Sequence, residues 1–173
     1  MKKNKIKYIA LFIVALFVRL LPFRAPNLEP IMAIQMPFAK VYGGIYSFFF
    51  GFLSIVVYDY FTSGFGVWTW ISAFAYGFVG LGATLYFKNR SGWKSYATYA
   101  FFATIAFDAL TGLTLGPIFF DQPFMLALIG QIPFTAIHLL SNVSFAIVLS
   151  PMIARWIEQD ETVKIVVPEV VRV

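Results

Sequence analysis

The sequence predicts an all-α fold, a polytopic membrane helix bundle of about six transmembrane helices, on three observations. Of 173 residues, 60% are hydrophobic and only 12% charged, with mean hydropathy +0.80, whereas soluble domains carry roughly 25% charged residues. The apolar residues fall into runs of membrane-spanning length, separated by short breaks rich in Gly, Pro and charge. The basic residues collect at alternate ends of those runs, so with the N-terminus inside the lysine-rich loops also lie inside. That asymmetry, with six passes, predicts N-in, C-in.

The elements follow in order. Lys2, Lys3, Lys5 and Lys7 precede the apolar run Tyr8–Val18. This reads as a retained first helix over about 6–23, because Arg24 and Pro26 around Ala25 make a poor signal-peptidase site. The stretch 19–35 then interrupts the apolar pattern with Arg19, Arg24, Asn27, Glu29, Gln35 and three prolines. Pro30–Val41 is too short to cross a hydrocarbon layer of about 30 Å and is broken by Pro37. It is expected to be a short or broken element buried among its neighbours. Gly43–Thr62 is the third helix, with Gly43, Ser47 and Gly51 on one small-residue face. Val67–Phe87 is the fourth, with Ala73, Gly77 and Gly80 on such a face, and Tyr96–Ile118 the fifth. Residues 124–130 read as an interfacial lead-in, and Gln131–Ile157 as the sixth helix with Pro133 in its first turn. Residues 1–157 thus form a single transmembrane helical domain, and 158–173 a cytoplasmic tail.

Strongly polar residues within the apolar runs lie from the outer ends to the middle, and the cytoplasmic halves carry almost nothing ionisable. On the fifth helix Ala100, Thr104, Asp108 and Gly112 recur every four residues; on the sixth Gln131, Thr135, His138, Asn142 and Ala146 recur at three and four. Charged and strongly polar groups in membrane helices face the bundle interior or a wet cavity, so the two stripes are expected to face each other and open outward. Asn142 alone reads equally as interhelical hydrogen-bond glue. Asp59 is expected to be solvated or paired with Arg19 or Arg24. Tyr58, Tyr60, Trp68 and Trp70 gather at the outer ends of helices three and four, where they serve an interfacial belt or stack on a planar ligand.

Several chemistries have no motif here. The chain has no cysteine, no phosphate-binding P-loop, no H-E-x-x-H and no G-x-S-x-G. Basic residues at helix ends, not on one solvated face, give no nucleic-acid footprint. Three classes stand: a solute-binding membrane component, a membrane scaffold of the cell-shape type, and an intramembrane metal-dependent enzyme using His138, Asp108 and Asp59. The first accounts for the converging polar stripes, and no enzymatic activity, catalytic residue, metal or other cofactor is expected.

The residues also carry a family likeness. Arg-x₄-Arg-Ala-Pro-Asn-Leu-Glu-Pro (19–30), the Gly43-Gly44…Gly51-Phe52 helix, Gly66-Val-Trp-Thr-Trp leading into Tyr76-Gly77-Phe78-Val79-Gly80-Leu81, and Pro-Phe-Thr-x₂-His-x₃-Asn (133–142) together resemble the substrate-binding (S) components of energy-coupling factor (ECF) vitamin transporters. Within these the chain is most similar to the branch associated with cobalamin or its precursors, over about residues 15–157. The resemblance implies capture of a vitamin-like solute at the outer side of a prokaryotic cytoplasmic membrane. It also implies association with a transmembrane coupling subunit and two ATPase subunits. The loop Arg24–Pro30 would lid the pocket, with Asn27, Trp68 and His138 facing the ligand. Arg24, Trp70, Asp108, Gln131 and Asn142 complete the expected substrate-binding set. The family's Ala-x-x-x-Ala docking face on the first helix is out of register here, at Ala10 and Ala15. Two alternatives follow: docking on the Gly43/Ser47/Gly51 or Ala73/Gly77 faces, or a partner other than the family's usual one.

Overall fold

The structure, a computed structural model, describes residues 2–23 and 27–158. Among these there are six helices and no strand: α1 Lys2–Leu20, α2 Ile31–Tyr42, α3 Gly44–Phe61, α4 Val67–Phe87, α5 Trp93–Phe119 and α6 Phe124–Glu158. Helices α3 to α6 are long and apolar enough to cross a membrane. The first helix falls short of that standard because four of its first six residues are lysines and Arg19 stands near its end. Its exposed face is nonetheless an oily stripe of Ile6, Ile9, Ile13 and Phe17. Similar side chains (Leu85, Phe102, Ile132 and Leu140) cover the outside of the other helices, far more apolar surface than a water-soluble monomer exposes.

The second helix is the centre of the molecule. Nine consecutive residues, Ile31 to Ala39, are buried on every face, and α3, α4 and α6 pack around them. A helix apolar all round belongs in a core, and at 12 residues α2 is about 18 Å long, well short of a bilayer. The one strongly polar residue in that buried run, Gln35, bridges two helices: its Nε2 donates to the carbonyls of Ser47 and Tyr76, each at 2.8 Å. Ser47 Oγ returns a bond to the Gln35 carbonyl at 3.2 Å.

That bridge requires α3 and α4 to touch through glycine. A Cβ on Gly51 would lie 2.7 Å from the Tyr76 carbonyl, and one on Gly80 2.6 Å from that of Ser47. The two small-residue faces therefore bury each other: Ser47, Gly51, Ala73, Gly77 and Gly80 are all closed to the surface. This corrects the expectation that either face docks a partner subunit, since neither is available without separating α3 from α4.

A second correction concerns α6, a single 35-residue helix with Pro133 and Pro151 inside it, not a lead-in followed by a helix. Pro133 lies on the exposed side, and the one backbone bond it removes does not end a helix held by partners on both flanks.

The helix ends sort by charge. At one end Lys7 donates to the Trp156 carbonyl and Lys40 pairs with Glu158 at 3.2 Å; Lys88, Arg90 and Lys94 join them through the α4–α5 turn. The other end holds Arg19, Glu29, Asp59 and Asp121. Residues 159–173, nearly all of the expected tail, lie outside the described residues.

Candidate functional site

The end opposite the lysines contains a cavity of about 420 Å³, lined from α1, the α1–α2 loop, α3, α4, α5 and α6. Its polar lining comprises Arg19, Asn27, Glu29, Tyr58, Ser72, Tyr76, Thr111, Gln131 and His138, and its apolar lining Ile55, Phe107, Leu115 and Phe134. Volume and mixture both fall within what small-molecule sites show, roughly 300–1,000 Å³ of mostly apolar wall with a few oriented polar groups.

One wall is the α5–α6 seam. Because these helices are antiparallel and each repeats polar residues at three to four positions, their stripes meet rung by rung. Deepest, Asn142 Nδ2 donates to Thr104 Oγ1 at 3.0 Å, and Thr104 in turn touches Met32 Sδ of α2 at 3.7 Å. Above it His138 Nδ1 meets Asp108 Oδ1 at 2.7 Å. Outermost, Gly112 leaves the space that the Gln131 side chain fills, while Gln131 Nε2 donates to Thr135 at 3.1 Å. The expectation of facing stripes therefore holds at each level.

The rungs differ in role. Gln131 and His138 line the cavity; Asp108, 1% exposed, stands behind His138, and Asn142, also 1% exposed, lies beneath. With Asp108 as the carboxylate, which can only accept, the shared hydrogen sits on His138 Nδ1. The ring presents Nε2, for which the described residues offer no partner. Asp108 thus orients the imidazole, and Asn142 braces α5 against α6 below it.

Another wall is a charged cluster that ties α1, α3 and α4 to the loop. Arg19 lies 3.2 Å from Glu29 and stacks 4.2 Å over the Tyr58 ring. Tyr76 donates its hydroxyl to the other Glu29 oxygen, and the Tyr76 ring packs 4.3 Å from that of Phe107. The Arg19–Glu29 contact is an ion pair by distance without aligned hydrogen-bond geometry at Nη1, and the cation–π stack supplies much of its hold.

The loop closes over the cavity through Asn27. Its backbone takes φ +59°, a left-handed conformation that asparagine tolerates better than most residues. Its Nδ2 reaches the Phe134 carbonyl on α6 at 3.3 Å. Asn27 thus ties the α1–α2 loop to α6. Arg24, expected beside it, lies outside the described residues.

Three expectations meet a different arrangement. Trp68 and Trp70, 39% and 45% exposed, do not line the cavity. They stand about 100° to either side of the buried Thr69 on α4, and the Trp68 ring folds back against Gly66. Trp70 instead packs against Phe52 and Phe65. Asp59 is neither solvated nor paired with Arg19: it is 6% exposed and accepts from Thr69 Oγ1 at 2.6 Å, while its backbone carbonyl ties the α3–α4 turn. Of the outer aromatics only Tyr58 enters the cavity.

Glu29, Tyr76 and Ser72 were not among the expected site residues. Tyr76 sits on the predicted small-residue face of α4, and an aromatic hydroxyl there was the signal of an inward polar group. No group of three or more metal-binding side chains occurs among the described residues. Comparison with protein-family models, with curated proteins and with solved structures finds no match to this chain.

Proposed function

We propose that this chain is the membrane substrate-binding subunit of an ECF-type transporter, capturing a vitamin or vitamin precursor at the outer face of a prokaryotic cytoplasmic membrane. The observation that carries the reading is the cavity itself: about 420 Å³, at the end away from the lysines, beneath a loop whose Asn27 reaches α6. The positive-inside rule makes that end the outer one.

The ligand, on this reading, is largely uncharged. Among the described residues the lining cation, Arg19, already faces the Glu29 carboxylate and His138 faces Asp108, so the charges of the wall are matched, while Arg19 Nε and Nη1 keep donors for a neutral acceptor. His138 Nε2, the Gln131 amide, Ser72 and Thr111 supply hydrogen bonds, and Phe107, Phe134 and Tyr58 supply flat apolar walls. The floor beneath His138 is filled by the Asn142–Thr104 rung and the buried α2. Release to the inside therefore requires movement of the chain, for which a coupling subunit and two ATPase subunits would be the partners.

The test is native mass spectrometry of the full chain after incubation with a panel of vitamins and precursors, alongside affinity isolation from its source membranes. One retained ligand per chain and co-isolated ATPase subunits are expected. Retention of none, with no ATPase subunit recovered, would sink the proposal.

A further inference from the structure

Away from the cavity, α4 and α5 pack more sparingly than the helix pairs on either side. An apolar groove of about 530 Å³ lies between them, walled by Phe78 of α4 and by Thr98, Phe102, Ala106 and Leu110 of α5. The four α5 residues recur every four positions, so the groove runs for about 18 Å along the helix. That is about the depth of one leaflet of a hydrocarbon layer roughly 30 Å thick.

At the lysine-rich end the groove continues into a second cavity of about 620 Å³, and Tyr86 and Tyr99 line both. Lys88, Asn89 and Arg90 form its mouth, and the Arg90 guanidinium is steadied 4.3 Å over the Tyr86 ring. No acidic side chain lines either cavity. Glu158, the described acid at this end, is taken up by Lys40, which leaves a second copy of the chain without a described counter-charge for the mouth.

A slot one leaflet deep with a cationic mouth matches one class of ligand in shape and charge. We infer that the α4–α5 groove binds a phospholipid with an anionic headgroup, its acyl chain between the helices and its phosphate between Lys88 and Arg90. Juxtamembrane lysine and arginine attract anionic lipid, and here they stand at the head of a groove that fixes the tail.

The experiment uses the full chain reconstituted in vesicles of phosphatidylglycerol or of phosphatidylcholine, extracted in mild detergent and weighed by native mass spectrometry. Retention of one phosphatidylglycerol per chain is expected, about tenfold or more above phosphatidylcholine. Lys88→Ala with Arg90→Ala, both at exposed positions, should abolish the preference without changing helical content. Ala106→Trp, filling the groove from an exposed position, should abolish retention of both lipids. Equal retention of the two lipids, an unchanged preference in the double variant, or a dimer mass in place of bound lipid would overturn the inference.

Discussion

His138 Nδ1 and Asp108 Oδ1 meet at 2.7 Å across the α5–α6 seam, with the two side chains 3% and 1% exposed. The pair belongs to the seam and, through Nε2, to the cavity. Replacing His138 with Leu should destabilise the chain more than replacing His138 with Leu and Asp108 with Asn together, because the single change strands a buried carboxylate. A coupling of about 0.6–1.7 kcal/mol is expected from cycles in membrane helices. Denaturation of the four proteins in detergent measures it; strictly additive losses would show that the contact carries no interaction energy.

If the cavity is the binding site, His138→Gln and Gln131→Ala should each weaken the retained ligand by about tenfold, the equivalent of one hydrogen bond of roughly 1.4 kcal/mol. Trp68→Ala and Trp70→Ala should leave affinity within about twofold, because neither ring lines the cavity. Titration calorimetry on the four variants separates the outcomes. A large loss at Trp68 would place the ligand on the outer face of α4 instead.

Tyr76→Phe keeps the ring against Phe107 and removes only the hydroxyl that Glu29 accepts, so it should cost about 1 kcal/mol. Glu29→Ala removes the carboxylate facing a guanidinium whose side chain is 13% exposed, and should cost more, about 2–3 kcal/mol. Thermal denaturation in nanodiscs ranks the two. The reverse order would mean that water reaches Arg19 freely.

Glycine positions give a contrast within one side-chain type. Gly51→Ala and Gly80→Ala push a methyl into the backbone of the facing helix, and each should cost about 2 kcal/mol or more. Gly130→Ala meets nothing within 4 Å and should stabilise α6 by up to about 1 kcal/mol.

The chain has no cysteine, so single-cysteine labelling can report orientation cleanly. Ser63→Cys should react with an impermeant maleimide on intact cells, and Asn89→Cys only after permeabilisation. Labelling of Asn89→Cys from outside would invert the topology and move the cavity to the cytoplasmic face.

The ladder between α5 and α6 was legible in the sequence because period and depth agreed: Thr104, Asp108 and Gly112 on one helix have counterparts in Asn142, His138 and Gln131 on the other. The burial of α2 was legible too, from a segment too short to span and broken by Pro37. The Arg19–Glu29–Tyr76 cluster was not. Tyr76 lies 47 residues from Glu29, and a contact between a loop and a helix leaves no periodic trace in either. The roles of Trp68 and Trp70 were ambiguous for a different reason. An interfacial belt and a ligand wall call for the same residues at the same depth, and only the turn of α4 about its axis tells them apart. The continuity of α6 was missed because proline marks a first turn more often than a helix interior, and neighbours on both flanks override that preference.

The burial of α2 also bears on how the protein is made. A twelve-residue segment carrying Gln35, Pro37 and Lys40 and preceded by Glu29 has little to gain from lipid when it leaves the ribosome. Its partners α3, α4 and α6 are synthesised after it. The Ser47 and Tyr76 carbonyls that hold Gln35 are absent until α3 and α4 have followed it. The last helix closes the set: until α6 packs on α2 and Ser150 bonds the Ala33 carbonyl, one side of the buried helix is uncovered.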